Sequence, residues 1–220
     1  WGIPKVIFLG NTPPRTSDDK IYKPVNAKMI YVSNADSYGY GIEYVRLSSM
    51  FEVGGVKYVP LSTKECEVID GRYNSSAANV SVDSVVTYKN RMMTVKNIND
   101  YAFYKNNNIK QVYVNNDGYV GDSCFFDCDS IAGDLVVENN GYIGDHAFYS
   151  CDAIENAVVS NNGDIGTSAF QYCTNLVTAH VSNNGYIGES AFAGSFTQCS
   201  DESSLEVLNT SYIGNSAFQG

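Results

Sequence analysis

The hydrophobic positions in the second half of the chain recur at a nearly fixed interval. An Ile or Val, followed four residues later by Ala or Cys and five residues later by Phe, occurs six times between residues 98 and 218. Successive Ile or Val positions are 22, 23, 22, 22 and 26 residues apart. Such self-similarity indicates an internal repeat. The six positions are Ile98, Val120, Ile143, Ile165, Ile187 and Ile213.

A second apolar pattern, with a period of two residues, follows within each repeat. This alternation predicts one short strand per repeat with the apolar side chains pointing inward. A single repeat of this length cannot bury its own apolar face, so the repeats must stack and bury a continuous column. We therefore predict a mainly β solenoid with one strand per 22–23-residue repeat. The alternating pairs are Val112/Val114, Leu135/Val137, Ala157/Val159, Ala179/Val181 and Leu205/Val207.

Cysteine forms a further column eight residues after the Ile or Val, at Cys128, Cys151 and Cys173. In the 26-residue interval we assign this position to Cys199, delayed by an insert at 194–197 that should bulge outward as a loop. Stacked buried thiols are the favoured interpretation, because Cys behaves as a small apolar residue. A disulfide from Cys124 to Cys128 or Cys66 stays open. A zinc site is disfavoured, because a ladder spreads ligands along a line.

Polar columns also recur and are interpreted as structural. An Asn four residues before each Ile can satisfy backbone groups at a turn, and a Gly two residues before it is expected to adopt positive φ. Calcium binding is disfavoured at the acidic column of Asp122, Asp145 and Glu189, because Thr167 and Asn215 interrupt it and calcium needs several converging oxygens. The Asn column is Asn116, Asn139, Asn161, Asn183 and Asn209; the Gly column is Gly118, Gly141, Gly163 and Gly185.

The residues before the repeats divide into two segments. Residues 51–96 predict β-hairpins, with turns at Gly54-Gly55 and at Lys89-Asn90-Arg91, that cap the first repeat and cover its sheet edge. Residues 1–50 predict a strand at Ile3–Leu9. The expected domains are therefore 1–50, 51–96 and 97–220, the last of them cut within a repeat.

The composition narrows the possible partners. The formal charge is −10, and residues 97–220 contain 2 basic and 15 acidic residues. Because phosphate neutralisation needs Lys and Arg, nucleic-acid binding is disfavoured. No apolar run approaches the roughly 18 residues of a membrane-spanning helix, so no membrane insertion is expected. The chain begins at Trp1 and ends inside a motif at Gly220, so we expect it to be a fragment of a longer protein.

The repeat resembles the BspA-type leucine-rich repeat, whose signature is Ile-Gly-x-x-Ala-Phe-x-x-Cys-x-x-Leu. The segment Ile143-Gly-Asp-His-Ala-Phe148, followed by Cys151 and Ile154, carries the match, and the columns agree over about 125 residues. The resemblance implies a right-handed leucine-rich-repeat solenoid on the surface of mucosal bacteria or parasitic protists, with an adhesive or binding role. It also implies that Met29–Val32, followed by Ala35–Tyr38, is the tail of an upstream repeat array within residues 1–50. The chain departs from the family in using Val, Ile or Ala where Leu is common, and Asn-Asn-Gly where the family's turn usually has Pro.

Two surface rows are candidate binding sites. The residues between the inward strand positions would line the concave face, and exposed apolar positions there favour an interface. The second row lies just before each Ile and is rich in Tyr, which suits recognition, although the rings could simply stack and cover the turn. The concave row is Tyr113, Val136, Val158, His180 and Glu206; the aromatic row is Tyr119, Tyr142, Tyr186 and Tyr212.

No catalytic pattern is found, and neither His146 nor His180 lies in a recognisable triad. We therefore expect a non-catalytic, secreted or cell-surface module, without cofactor or metal, that mediates adhesion to host or neighbour-cell proteins or extracellular matrix. Two alternatives stay open. One is a carbohydrate or mucin binder that uses its Tyr rings, and the other is a structural stalk or self-assembly unit.

Overall fold

The computed structural model describes the backbone of three short N-terminal strands, and residues 50–69, 74, 77–200 and 204–220. Strands β1 (Lys5–Phe8), β2 (Met29–Val32) and β3 (Tyr44–Arg46) form a parallel sheet in that order. The strand predicted at Ile3–Leu9 is confirmed. The Ala35–Tyr38 segment lies outside the described residues, and the upstream-array interpretation of 1–50 stays a prediction.

Two antiparallel hairpins confirm the turns expected between residues 51 and 96. Gly54 and Gly55 join β4 to β5 with φ of 59° and 81°, and Lys89 and Asn90 join β8 to β9 with φ of 47° and 63°. Positive φ at both turn residues matches the twist of a tight hairpin. The strands of this segment are β4 (Phe51–Val53), β5 (Val56–Pro60), β6 (Glu65–Val68), β7 (Asn79–Val82), β8 (Val85–Tyr88) and β9 (Arg91–Ile98).

Strand β7 joins this segment to the repeats. It pairs in parallel with the first repeat strand, with Val80 opposite Val112, and so covers what would be an open sheet edge. The following strand, β9, ends at Ile98, which pairs with Val120. Residues 79–98 therefore pair with the repeats at two places: β7 pairs with the first repeat strand, and Ile98 pairs with Val120. The domain boundary at residue 96 stays a prediction.

One parallel sheet contains the strands of the repeats, in the order β15-β14-β13-β12-β10-β7. Equivalent residues of neighbouring repeats pair directly, as Val136 does with Val158 and Val158 with His180. The inward positions are buried from Val112 to Val181, which confirms the alternation. The repeat strands of this sheet are β10 (Gln111–Asn116), β12 (Gly133–Asn139), β13 (Ile154–Asn161), β14 (Thr178–Asn183) and β15 (Leu205–Asn209), whereas β11 (Tyr119–Val120) pairs with β9 in the second sheet.

The core of the repeats is a single file of stacked phenylalanine rings. Consecutive ring centroids along this file are 4.8, 4.9, 5.0, 4.8 and 5.2 Å apart, and the planes deviate by at most 13°. On one side the Ile positions form successive parallel bridges, as between Ile143 and Ile165. The predicted β-solenoid is confirmed. The stacked rings are Phe103, Phe125, Phe148, Phe170, Phe192 and Phe218.

The expectation that the Gly column adopts positive φ is wrong. The positive-φ glycines of the described residues are Gly54, Gly55, Gly133 and Gly194, outside that column. Glycine is required there because neighbouring repeats approach too closely for a side chain. A Cβ on Gly163 would lie 2.3 Å from the carbonyl oxygen of the glycine before it in the column.

The assignment of Cys199 to the cysteine column is also wrong. Ser195 occupies this position, is fully buried, and donates a hydrogen bond of 2.6 Å to the carbonyl of Phe170. Cys173 makes the equivalent contact, 3.2 Å from Sγ to the carbonyl of Phe148. Residues 194–197 are therefore not a loop that bulges as a whole, because Ser195 lies in the core and Phe196 stacks on Phe192.

All six cysteines are in the reduced, thiol form, and the column members are buried. Burial raises the pKa of the Cys128 and Cys173 thiols to about 12. They are therefore neutral and donate to backbone carbonyls of the preceding repeat, 3.0 Å for Cys128 and Phe103. The stacked-thiol interpretation is confirmed, and the disulfides left open from Cys124 to Cys128 or Cys66 are not formed.

The Asn column forms a buried ladder of side-chain hydrogen bonds. Asn161 Nδ2 donates to Asn183 Oδ1 at 2.9 Å and to the carbonyl of Gly163 at 2.6 Å, and Asn161 Oδ1 accepts from Asn139. Each amide therefore closes the turn of its own repeat and fixes the distance to its neighbours. The adjacent residues form a second, exposed ladder, in which Asn184 donates to Asn162.

The two ladders allow a matched test of burial. We expect Asn161→Ala to lower the free energy of unfolding by about 2–4 kcal/mol, because it leaves several buried partners unpaired. Asn162→Ala, next to it and exposed, should cost less than about 1 kcal/mol. Urea unfolding followed by circular dichroism measures both; equal losses would contradict the role assigned to the buried ladder.

The glycine column provides a second stability prediction. Gly163→Ala should lower the free energy of unfolding by about 1–3 kcal/mol, because the added methyl group forces neighbouring backbones apart. Ser211→Ala is the matched control, since this exposed position of the same column already has a Cβ. Thermal unfolding measures the difference, and an unchanged Tm for Gly163→Ala would contradict the close-approach explanation.

Candidate functional site

The candidate site is the solvent-facing side of the six-stranded parallel sheet, called the strand face below. Tyr113, Val136, Val158, His180 and Glu206 pair one with the next through four consecutive strand pairs. The structure therefore brings all five predicted residues into one continuous row. Tyr113 and Val136 are partly buried and the other three are exposed, with Val158 44% accessible. Their role in ligand binding stays a prediction.

Two depressions lie along this row. The larger, of about 570 Å³, is lined by Tyr113 and Val136 together with Ser81, Gln111 and Asn156. The smaller, of about 110 Å³, lies at the other end of the row. Apolar and polar groups thus alternate over a shallow surface. The smaller depression is lined by Val158, Val159, Ser160, His180, Val181, Ser182, Glu206 and Leu208.

Hydrogen bonds hold the polar side chains around the row. Tyr113 donates its hydroxyl to Glu138 at 3.3 Å, and His180 Nδ1 lies 3.2 Å from Glu206 Oε2. Asn156 donates to Asp134 at 2.8 Å. Carboxylates therefore border a centre occupied by Val136 and Val158.

The four tyrosines of the predicted aromatic row differ in their exposure and in their hydrogen bonds. Tyr119 is partly buried, and its hydroxyl donates to Asn99 at 3.4 Å. Tyr142 is 38% exposed and donates to Asp145 at 2.8 Å. Tyr186 and Tyr212 are 39% and 82% exposed. The hydroxyl of Tyr142 is therefore tied to its own repeat while part of the ring meets solvent.

The acidic column is structural. Asp122 Oδ1 accepts the backbone N–H of Asp145 at 2.9 Å, and Asp145 Oδ1 accepts that of Thr167 at 2.7 Å. Each carboxylate thus satisfies a backbone donor of the next repeat. Among the described residues, no group of three or more His, Cys, Asp or Glu side chains is placed to hold a metal ion. Nor does that part of the chain contain a helix long and apolar enough to span a membrane.

A third row, which we call the outer aromatic row, was not predicted from the sequence; its members are Tyr104, Phe126, Tyr149 and Tyr172. The Tyr104–Phe126 and Phe126–Tyr149 rings stack with centroids 5.2 and 4.9 Å apart, and Tyr172 meets Tyr149 edge-on at 5.5 Å. Tyr104 and Tyr172 are 41% and 45% exposed. The signal was present, because three successive repeats place an aromatic residue directly after the core Phe.

The family model of the BspA type leucine-rich repeat region matches residues 96–220 in six copies. The match covers more than half of the chain, and the chain therefore belongs to the BspA-type leucine-rich repeat family. Family membership indicates a protein-binding or structural role. A search of the curated proteins gave no match.

Two solved bacterial structures are similar to the chain. A leucine-rich cell surface protein from Faecalibacterium prausnitzii is 16% identical, with a TM-score of 0.48, over 77% of this chain and 51% of that one. A leucine-rich repeat protein from Bacteroides capillosus is 17% identical, with a TM-score of 0.36, over 76% of this chain and 98% of that one. The chain thus spans about half the length of the Faecalibacterium protein.

The acidic column provides a pH-dependent prediction. Burial raises the pKa of Asp122 above its ordinary value; the Asp145 N–H lowers it, and the charges of Asp100 and Asp145 raise it again. A raised pKa in the folded state means that ionised Asp122 destabilises the fold at neutral pH. This cost disappears as the pH falls through the folded-state pKa.

Asp122→Asn keeps the oxygen that accepts the Asp145 N–H but removes the charge. We expect it to raise the free energy of unfolding at pH 7 by about 0.5 kcal/mol, with the gain shrinking as the pH is lowered towards 4. Tm measured across this range tests the prediction. Asp134→Asn, an exposed carboxylate on the strand face, is the control; a pH-independent gain at Asp122 would contradict the charge explanation.

Proposed function

We propose that the chain is a non-catalytic, extracellular binding module of a cell-surface protein, and that the strand face binds a host or neighbour-cell protein. The observation that carries the proposal is the continuous row from Tyr113 to Glu206, with its two depressions. Exposed apolar side chains in a contiguous patch are typical of interfaces. Membership of the BspA-type family supports the location.

The surroundings of the row indicate the chemistry of the partner. Val136 and Val158 offer apolar contact at the centre, whereas Asp134, Glu138 and Glu206 add negative charge at its borders. A partner that inserts an apolar side chain between basic groups would bury the valines and pair with the carboxylates. Such an interface takes its affinity from the desolvated centre and its orientation from the charged rim.

The test uses a panel of immobilised extracellular-matrix proteins and mucins, with binding measured by biolayer interferometry. We expect Val158→Glu and His180→Glu each to weaken binding to the captured partner at least about tenfold, because both place a carboxylate in the contact. Asn175→Glu, which adds the same charge at an exposed turn outside both depressions, should bind like the unmodified chain. If both strand-face variants bind normally, the site assignment is wrong.

Glycan binding is a second candidate, favoured by the exposed rings of Tyr142 and Tyr186. Sugars stack on aromatic faces, so Tyr142→Ala and Tyr186→Ala would abolish binding on a glycan array while leaving protein binding intact. Loss through Val158→Glu but not through the tyrosine variants supports the protein partner; the reverse supports the glycan.

A further inference from the structure

The outer aromatic row is a second surface that the proposed function does not use. None of its four residues lines either depression of the strand face. Its rings are stacked in register from repeat to repeat, and they meet solvent at Tyr104 and Tyr172. Aromatic side chains exposed in a row are typical of interaction surfaces, and the charges beside them restrict the partner that fits.

The contacts of Lys105 show that the outer aromatic row accommodates a cation. Its Nζ lies 5.6 Å from the ring centroid of Tyr104 and 5.8 Å from that of Phe126, within cation–π range. The same ammonium is 2.9 Å from Asp127 Oδ2. Two aromatic rings and a carboxylate thus converge on one cation. Lys105 is one of only two basic residues between 97 and 220, the other being Lys110.

The next pair of rings along the outer aromatic row has no lysine at the position equivalent to Lys105. Phe126 and Tyr149 stack with an interplanar angle of 4°, but the residue equivalent to Lys105 in that repeat is Asp127. Asp129 and Asp152 follow at equivalent positions of successive repeats. Burial raises the pKa of Asp129, and the charges of Asp127 and Asp152 raise it further, whereas Lys105 lowers it. These three carboxylates therefore repel one another, and one lysine only partly neutralises them.

We propose that the outer aromatic row is a docking surface for a partner segment rich in arginine or lysine. A cationic side chain of the partner lies against the Phe126 and Tyr149 rings and pairs with Asp129 and Asp152. The two rings are the equivalents, one repeat further on, of the Tyr104 and Phe126 rings that Lys105 contacts. The residue equivalent to Asp127 there is Ser150, so the counter-charge in this repeat comes from Asp129 and Asp152 instead. Arginine fits best, because its planar guanidinium stacks on rings and binds carboxylates through two hydrogen bonds.

The occupant is basic rather than purely apolar because of the charge of this region. An apolar partner would bury Asp129 and Asp152 without a counter-charge, which is costly. A second copy of the repeat array would bring further carboxylates, since residues 97–220 carry 15 acidic and 2 basic residues. A basic segment relieves the repulsion and gains aromatic contact at the same time.

The experiment measures binding of a fluorescent synthetic peptide with arginine at alternate positions, by anisotropy at low salt. The control peptide has citrulline at the same positions, which preserves shape and hydrogen bonding but not charge. We expect the arginine peptide to bind and the citrulline peptide not to bind. Absence of binding by the arginine peptide overturns the proposal.

Variants distinguish binding at the outer aromatic row from general electrostatic attraction of the peptide to an acidic protein. Tyr149→Leu should weaken binding about two- to fivefold, whereas Tyr149→Phe keeps the ring and should bind normally. Asp152→Asn should weaken binding more than Asp117→Asn, which removes an equal charge elsewhere. Equal effects of the two aspartate variants, or normal binding by Tyr149→Leu, would show a merely diffuse attraction and overturn the proposal.

The two proposals fail independently. Val158→Glu, which should weaken strand-face binding at least about tenfold, should not weaken binding of the arginine peptide. If it does weaken it, the peptide binds at the strand face and the outer aromatic row is not the site.

Discussion

Close stacking of one repeat on the next is the constraint on which the rest of the structure depends. The phenylalanine rings lie 4.8–5.2 Å apart along the file, close to the roughly 4.8 Å between hydrogen-bonded strands. No repeat could bury its Phe, Ile and Cys side chains alone; each covers the apolar face of its neighbour. The glycines before the Ile positions follow from the same constraint, since a Cβ there would enter the backbone of the adjacent repeat.

Polar groups enforce this spacing together with the apolar ones. The buried Asn ladder, the Asp carboxylates and the cysteine thiols all bond to a group in the neighbouring repeat, as Asn161 does to Asn183, Asp122 to Asp145 and Cys173 to Phe148. A shift in register would leave each of these groups unpaired. Because unpaired buried groups are costly, the ladders favour one register over its alternatives.

The solenoid, its strands and the strand-face row could be predicted from residue spacing alone. The spacing of each column indicates whether its side chains point into the core or towards solvent. The burial of Ser195 in the cysteine column could not be predicted. Residue spacing allowed two placements of the insert, and Cys199 has the residue type of the column whereas Ser195 does not. Burial decides between them, since the Ser195 hydroxyl reaches the carbonyl of Phe170 as a thiol would. The role of Gly163 and the outer aromatic row were missed for a related reason. Both depend on contacts between repeats, whereas turn rules and alternation describe a single repeat.

The columns whose residues differ from repeat to repeat are the ones that stacking does not constrain. Phe recurs unchanged through the core, and Asn recurs unchanged in the buried ladder, because every copy meets the same neighbour. Between the inward strand positions the chain instead places Tyr113, Val136, Val158, His180 and Glu206, five residues of different size and charge, with only valine repeated. Stacking makes no uniform demand at these positions, so their identities are free to match something outside the solenoid. The same reasoning applies to Lys105 and Asp127, which occupy one column with opposite charges.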